Sequence, residues 1–223
     1  MARPSPPTGP RGGAERKLVT VLLIDVDEAR EGFADMDPED AGRLLPGSLA
    51  RVRSEVEAHG GVVEETLGGR TVALFGIPRT RDDDPERAVR AALAVRDALA
   101  AGQAVRVQAA VATGEALVRP GPAGARPRVL GEPVAAAARL LERVPDGTVL
   151  VSATTRQATQ RAVAYGPLLA VPPGGREPPA WPALAPRAGP AAPTRRFPPL
   201  VARDRELAAL LAAAARACAG TGP

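Results

Sequence analysis

The chain has 223 residues, of which 45% are hydrophobic and 24% are charged, fractions that are ordinary for a soluble globular protein. Its 25 prolines and 23 glycines are not ordinary, because they make up 48 of 223 positions against a usual share of about 12%. No apolar run approaches the roughly 18 residues of a membrane span, and the single cysteine excludes an intramolecular disulfide and favours a reducing, cytoplasmic compartment. The net charge of +4 does not predict nucleic-acid binding, because no arginine cluster is interleaved with aromatic residues.

The chain begins with a stretch that predicts no regular element. Residues 1–15 are rich in proline and glycine and are expected to be a disordered lead. Residues 18–24 form a near-continuous β-branched and apolar run, which is typical of a central buried strand that ends at Asp25.

A long helix is predicted next. Asp37 is the expected N-cap, with Pro38 at the first helical position, and the helix should run to about Ala58 before Gly60 and Gly61 end it. Pro46 falls inside this helix and is expected to kink or break it.

A hairpin and a second helix follow. Residues 62–66 and 71–75 predict two short strands joined by a tight turn. Asp84 and Pro85 then open a helix that we expect to stop at Gly102.

The next segment alternates apolar and polar residues. Residues 105–111 therefore predict a strand with one buried face. We expect a tight turn at Thr113 and Gly114, with residues 115–118 as the hairpin partner.

The remaining elements complete the predicted fold. Pro133 opens a helix to about Arg143, residues 148–151 form a strand, and Ser152 caps a short helix. The order predicts an α+β fold: a ferredoxin-like βαββαβ core with C-terminal β/α additions, an antiparallel-rich sheet and helices on one face.

The amino-acid composition changes in the C-terminal quarter of the chain. Eleven prolines between Pro167 and Pro199 predict an extended linker over residues 167–199 that forms no regular element. Residues 203–217 predict an Ala/Leu helix within a last region, 200–223. We therefore expect a folded domain over residues 16–166, followed by a linker and the start of a further region of a longer protein.

The motifs of the folded domain, in this order and spacing, resemble the class III adenylate and guanylate cyclases. The resemblance covers residues 16–166, and residues 199–207 (PLVARDREL) are similar to the entry of the AAA/STAND-type signalling ATPase that follows the cyclase domain in one bacterial subgroup. The matching segments are Asp25 and residues 59–64 (HGGVVE), 73–76 (ALFG), 82–89 (DDDPERAV), 113–115 (TGE), 131–134 (GEPV) and 137–140 (AARL).

The resemblance implies a dimer with its active site at the interface. One protomer supplies two aspartates that hold two metal ions, and the other supplies a purine-reading pair, an asparagine and an arginine. Two cations and a guanidinium suit the attack of a ribose 3′-hydroxyl on the α-phosphate of ATP or GTP, because they offset the charge that develops on oxygen.

When the catalytic residues of that family are matched to this sequence by position, few of them are present. Asp25 matches the first metal aspartate, whereas the second falls on Gly69, which has no carboxylate. The purine-reading positions match Glu65 and Arg128, and the asparagine position matches Ala135.

Arg139 matches the transition-state arginine and lies one helical turn after Ala135. The resemblance therefore predicts a degenerate cyclase domain that regulates or dimerises. No cofactor is expected, and Mg²⁺ or Mn²⁺ would be needed only for a residual activity.

The same residues could instead have structural roles. Asp25 could cap a turn, and Arg139 could pair with Glu132 or Glu142 on its own helix. The acidic run 82–84 favours a helix start over a metal site, and His59 is expected to contact the end of its helix.

Two other functions stay open at this point. The chain could complete a cyclase site in a heterodimer, using Asp25 or Arg139. It could also be a ferredoxin-like interaction domain that binds RNA, although the predicted strands offer only Phe75 for base stacking.

Overall fold

The computed structural model describes residues 14–28, 38–67, 69–100, 105–119, 121, 127–169 and 178–187, with the backbone alone at residues 28, 38–45 and 65–67. Residues 1–13 of the expected lead, Asp37, Gly102 and the predicted helix 203–217 lie outside this part, and the lead is shorter than expected because Glu15 already belongs to a strand. The described strands are β1 (Glu15–Glu28), β2 (Val62–Leu67), β3 (Arg70–Phe75), β4 (Val105–Arg119), β5 (Arg128–Gly131), β6 (Thr148–Ser152), β7 (Val163–Tyr165) and β8 (Ala180–Pro186). The described helices are α1 (Pro38–Ala58), α2 (Asp84–Ala100), α3 (Glu132–Leu141) and α4 (Ala153–Thr159).

The sheet is built around β1. The strand order is β2-β3-β1-β4-β6-β8-β7, with β5 paired to β4 outside this path. β1 pairs antiparallel with β3 and β4, and β4 pairs parallel with β6. The α+β fold with a βαββαβ core is therefore confirmed.

Both faces of this sheet are buried, so the expectation of helices on one face is wrong. Leu22, Ile24 and Val26 of β1 share a core with residues of α1 and α2. Val19 and Leu23, which point the other way, share a second core with residues of α3. The run of apolar residues in β1 requires this arrangement, because alternate side chains of a strand point to opposite faces.

Helix α1 is continuous through Pro46, so the expected break does not occur. Its predicted end is confirmed: Gly60 has φ 75°, and the N–H of Gly61 donates to Val56 O at 2.9 Å. His59 contacts the helix end as expected, with Nδ1 2.8 Å from Glu55 O.

The start of α2 is tied to the end of α1. Asp84 is buried and accepts from the N–H of Arg81 at 2.6 Å, which confirms the helix-start interpretation of the acidic run. Arg87 pairs with Asp84 and donates from Nη1 to His59 O at 2.8 Å.

The turn expected at Thr113 and Gly114 is wrong, because β4 is a single strand that runs through both residues. Their register with Val19 and Thr20 of β1 is unbroken. The hairpin partner of the end of β4 is β5. A long neighbouring strand supplies backbone partners through the glycine, so no turn is needed.

Hydroxyl groups fix this part of β4 to both neighbours. Thr113 Oγ1 lies 2.9 Å from Thr20 Oγ1 and 3.0 Å from Thr155 Oγ1, and all three residues are buried. Ser152 accepts from the N–H of Thr155, which confirms the predicted cap of α4. The threonine preceding Gly114 thus anchors a helix instead of forming a turn.

The expectation that the proline-rich stretch forms no regular element is wrong at β8. This strand lies between β6 and β7 although it contains two prolines that cannot donate. Side chains compensate: Arg96 Nη2 donates to Leu184 O at 3.1 Å, and the Arg156 guanidinium lies 4.9 Å from the centre of the Trp181 ring. These tertiary contacts cannot be predicted from the number of prolines in the segment.

Two glycines in or beside α1 provide a matched test of the packing. A Cβ at Gly61 would lie 2.5 Å from Cζ of Phe75, which is 0% exposed, whereas a Cβ at Gly47 would meet nothing within 4 Å. Gly61→Ala should cost about 1–3 kcal/mol of unfolding free energy through overpacking. Gly47→Ala should gain up to about 1 kcal/mol from helix propensity. Urea unfolding followed by circular dichroism measures both, and equal midpoints would contradict the packing around Phe75.

Tyr165 gives a second test, at high pH. Burial raises the pKa of its hydroxyl, against the smaller lowering effects of the hydrogen bond to Thr159 and of the Arg156 charge. The unfolded chain therefore ionises first, so the stabilisation is complete below the ordinary pKa of about 10 and is lost as the pH rises through the raised native pKa. The chain has one tyrosine, so tyrosinate absorbance reports this group directly. Tyr165→Phe should reduce the alkaline loss of stability, and an ordinary native titration would contradict the burial.

Candidate functional site

Asp25, the predicted first metal ligand, lies in an ion pair. It is on β1 directly opposite Arg70 of β3. Arg70 donates to Asp25 Oδ2 from Nη2 at 2.7 Å and from Nε at 3.2 Å. The Asp25 side chain is 25% exposed, so solvent reaches the pair without separating it. One carboxylate oxygen thus receives two donors from a positive group.

Gly69, where the second metal aspartate was expected, lies against β1. The N–H of Val26 donates to Gly69 O at 3.0 Å. A Cβ at position 69 would lie 1.9 Å from the carbonyl oxygen of Val26 and 3.6 Å from Asp25 Oδ1. The hairpin backbone therefore leaves no room for an aspartate side chain, and this close approach brings Arg70 beside Asp25.

Polar residues continue the row of Asp25 across the sheet. The register places Arg70, Asp25, Gln108 and Thr148 side by side on β3, β1, β4 and β6. Gln108 Nε2 donates to Val144 O at 2.8 Å and to Asp146 Oδ1 at 2.9 Å.

Asp146 was not singled out from the sequence, where Asp146-Gly147 resembles an ordinary turn. It also accepts from Arg106 Nη1 at 3.1 Å, so Arg106 and Gln108 both bind its carboxylate. The polar row is thus occupied by contacts within the domain. Among the residues that the structure describes, no group of three or more His, Cys, Asp or Glu could hold a metal ion.

The other predicted positions lie on α3, β5 and β2. Arg139 is 48% exposed and pairs with Glu132, one of the two simpler partners expected from the sequence. Ala135 is exposed on the same helix, and Arg128 is exposed on β5. Glu65 lies in β2 opposite Val72, and its side chain is outside the described part. Over the described ranges, no hydrogen bond or ion pair joins Arg139 or Arg128 to Asp25.

Two further features are not part of this site. A shallow groove of about 370 Å³ on α1 is lined by Leu49, Ala50, Arg53, Ser54 and Glu57. Phe75 is 0% exposed, so it cannot stack on a nucleic-acid base, which removes the feature on which RNA binding depended.

Comparison with solved structures identifies the fold. The chain matches the adenylyl cyclase CyaB from P. aeruginosa with a TM-score of 0.67 and 21% identity, over 79% of this chain and 98% of that one. It matches the guanylyl cyclase Cya2 with a TM-score of 0.63 and 24% identity, over 82% and 98%. It also matches a non-canonical dimeric guanylyl cyclase domain of the RhoGC fusion protein from Blastocladiella emersonii with a TM-score of 0.67 and 17% identity, over 78% and 100%. The domain has the fold of the class III adenylate and guanylate cyclase domains.

Sequence relatives are much longer than this chain. The uncharacterized protein Rv1318c of Mycobacterium tuberculosis is 33% identical over 147 residues, which are 63% of this chain and 27% of that protein. The uncharacterized protein R02095 of Rhizobium meliloti is 33% identical over 161 residues, which are 69% of this chain and 16% of that protein. The chain therefore spans well under a third of the length of either relative. No family model matches the chain.

The hydropathy of the described helices agrees with the sequence expectation about membranes. Among the helices in the described ranges, none is both long enough and apolar enough to cross a bilayer.

The geometry around Gly69 predicts that restoring the aspartate does not restore a metal site. Gly69→Asp should cost about 2 kcal/mol or more of stability, because its Cβ collides with a backbone carbonyl that cannot rotate away. Isothermal titration with Mn²⁺ should give no binding heat with this variant. Gly47→Asp, in open space on α1, is the control for the change of residue type. A Gly69→Asp protein of normal stability that binds Mn²⁺ would contradict the close approach of the hairpin.

Proposed function

We propose that this chain is a catalytically inactive domain of the class III nucleotidyl cyclase fold that dimerises and regulates a longer bacterial signalling protein. The observation that carries the proposal is the ion pair between Asp25 and Arg70, at the position where the resemblance implies a metal centre. Three features of the site support it: the charge at Asp25, the space at Gly69 and the ion pair of Arg139.

The charge at Asp25 opposes a divalent cation. Two unit charges 4 Å apart interact by about 1 kcal/mol in water and about 4 kcal/mol at an effective dielectric constant of 20, and a divalent ion doubles both values. A metal ion bound to Asp25 would therefore face a repulsion of roughly 2–8 kcal/mol from Arg70, unless the ion pair first opened. Either route removes much of the binding free energy of the ion.

The space at Gly69 opposes a second ligand. A two-metal mechanism holds both the attacking and the leaving oxygen between cations. Those cations need carboxylates from both positions, and the backbone of Val26 occupies the place where a side chain at position 69 would begin. The residues present therefore do not fit a two-metal centre.

The remaining catalytic position is engaged elsewhere. Arg139 pairs with Glu132, and Ala135 has no polar group with which to orient a ribose. Loss of a single electrostatic donor typically costs about 10²–10³ in rate, so several losses in one site leave little activity. Binding of ATP or GTP without turnover is compatible with this proposal and needs no cofactor.

A regulatory role is supported by the context of the fold. The matched segment makes up 27% and 16% of two longer relatives, so a domain of this kind occurs as one part of larger proteins. One fold neighbour is a dimeric guanylyl cyclase domain. We infer that this domain also dimerises, in the cytoplasm, and biases an ATPase region that residues 200–223 begin.

A second function has one observation in its favour. Asp25 and Arg139 are both present and partly exposed, so the chain could complete a composite site with an active cyclase protomer. Mixing the two chains and comparing wild type with Arg139→Ala tests this idea. An unchanged rate of cyclic-nucleotide formation would exclude it.

The main proposal predicts the absence of cyclase activity in the purified chain. With ATP or GTP and excess Mn²⁺ or Mg²⁺, formation of 3′,5′-cyclic nucleotide should stay at the buffer background. Asp25→Asn is the control, because it removes the one metal-position carboxylate and should give the same trace. Product above background that Asp25→Asn abolishes would overturn the proposal, since it would show that this carboxylate holds a working metal ion.

A further inference from the structure

Strand β8 lies inside the sheet but contributes little apolar area to the cores. It pairs with β6 on one side and with β7 on the other. Its most deeply buried side chains are alanines, Ala180 at 0% and Ala183 at 2% exposure, whereas Leu184 is 51% exposed and Trp181 is only partly buried. β1, by contrast, buries valine, leucine and isoleucine side chains along most of its length. Because apolar stabilisation is roughly proportional to the area removed from water, β8 is held less firmly than β1.

The backbone ladders of β8 also lack donors. Pro182 lies opposite Leu150 of β6, and Pro186 lies opposite Val163 of β7. A proline has no N–H, so each ladder contains a residue that cannot donate a hydrogen bond. β7 and β8 also pair with a shift in register. Both ladders therefore contain fewer hydrogen bonds than strands of the same length without prolines.

Arginine side chains make hydrogen bonds to the backbone of β8 and of the residues before it. Arg96 of α2 donates from Nη1 to Ala183 O at 3.4 Å and from Nη2 to Leu184 O at 3.1 Å. Arg143, which follows α3, donates from Nη1 to Pro178 O at 3.0 Å. Hydrogen bonds from a charged donor are stronger than those between neutral groups. The position of β8 therefore depends on side chains of other elements as well as on the sheet.

Strand β7 depends on β8 for its place in the sheet. It has three residues, Val163–Tyr165, and within the described sheet it pairs with β8 alone. The chain just after β7 also bonds to β8. The N–H of Gly166 donates to Pro182 O at 2.9 Å, and the N–H of Leu169 donates to Ala180 O at 2.8 Å. If β8 leaves the sheet, β7 loses its partner, so the two strands are expected to open together.

We propose that β7 and β8 form a releasable unit, which opens and closes while β1, β3, β4 and β6 stay folded. Local opening of this kind occurs where few apolar side chains are buried and where backbone hydrogen bonds are few. The small side chains and the two prolines of β8 give it both properties, although it lies between two other strands.

Release of this unit changes the length of the tether to the rest of the chain. β8 is the last strand of the described part, and residues 188–223 follow it in the sequence. When β8 is paired, the chain leaves the sheet at the end of β8, and when β8 is released, it leaves the sheet at an earlier residue. Because the effective concentration of two tethered parts falls as the tether lengthens, release can change how the domain acts on the region that follows. This consequence rests on the proposed regulatory function, whereas the release itself does not.

The test is hydrogen–deuterium exchange of the full chain, followed by mass spectrometry. Relative to their intrinsic rates, amides of β7 and β8 should exchange at least tenfold faster than amides of β1 and β4. The prediction is specific for β8, because an interior strand that opened only with the whole fold would be protected as well as its neighbours. The wild-type protein alone is enough for this comparison.

Variants of Arg96 test the contacts that hold the unit. R96A removes both donors to β8 and should speed the exchange of β7 and β8 a further tenfold or more, with β1 and β3 unchanged. R96K keeps the charge but loses the guanidinium fork, so it should give a smaller increase. R90A is the matched control, because Arg90 lies on the same helix and donates to Glu86 at 2.8 Å, one turn away. It should leave the exchange of β7 and β8 unchanged, and circular dichroism checks that every variant is folded.

Each result decides the proposal. Fast exchange in both strands, increased by R96A and not by R90A, supports it. Wild-type β8 amides that exchange as slowly as those of β1 overturn it. Equal acceleration of β1 and β8 by R96A also overturns it, because Arg96 would then stabilise the whole fold. Opening of β8 with β7 still protected contradicts a unit of two strands. Formation of cyclic nucleotide in the product assay would overturn the proposed function and leave the release standing, so the two failures are distinguishable.

Discussion

Strand β1 has to bury both of its faces, and the architecture follows from this requirement. Its apolar run leaves no polar side for water between Val19 and Ile24, so helices are needed above and below the sheet. Its backbone must also be paired on both edges, which β3 and β4 provide. A strand in this position cannot slip by one residue, because every apolar side chain would change its face. The registers of the neighbouring strands are therefore fixed.

That fixed register also sets the geometry of the candidate site. It places Arg70 opposite Asp25, where the guanidinium forms an ion pair with the carboxylate. It also places the hairpin so close to Val26 that only a glycine fits at position 69. The Asp25–Arg70 ion pair and Gly69 belong to one local structure. A single substitution therefore changes one of them and leaves the other in place.

The same strand pair is the longest pairing in the described sheet. β1 and β4 run side by side for fourteen residues without a bulge, and they extend past the last helix on one face. Leu18 of β1 and Leu130 of β5 are exposed at this end.

The sequence by itself determined the order of the elements of the βαββαβ core, the α+β class, the cap at Ser152, the helix start at Asp84 and the glycine end of α1, because these depend on local periodicity and backbone preferences. It also marked Asp25 and Gly69 as positions that matter. Only the tertiary structure decided that β4 runs through Thr113 and Gly114, that the proline-rich β8 enters the sheet and that Arg70 pairs with Asp25. Each of these depends on partners distant in the chain. Strand β1 supplies hydrogen-bond partners for the backbone of β4 around Gly114, so no turn forms there. Arginine side chains contact β8, whose prolines cannot donate hydrogen bonds. The register between β1 and β3, which no single segment encodes, places Arg70 opposite Asp25.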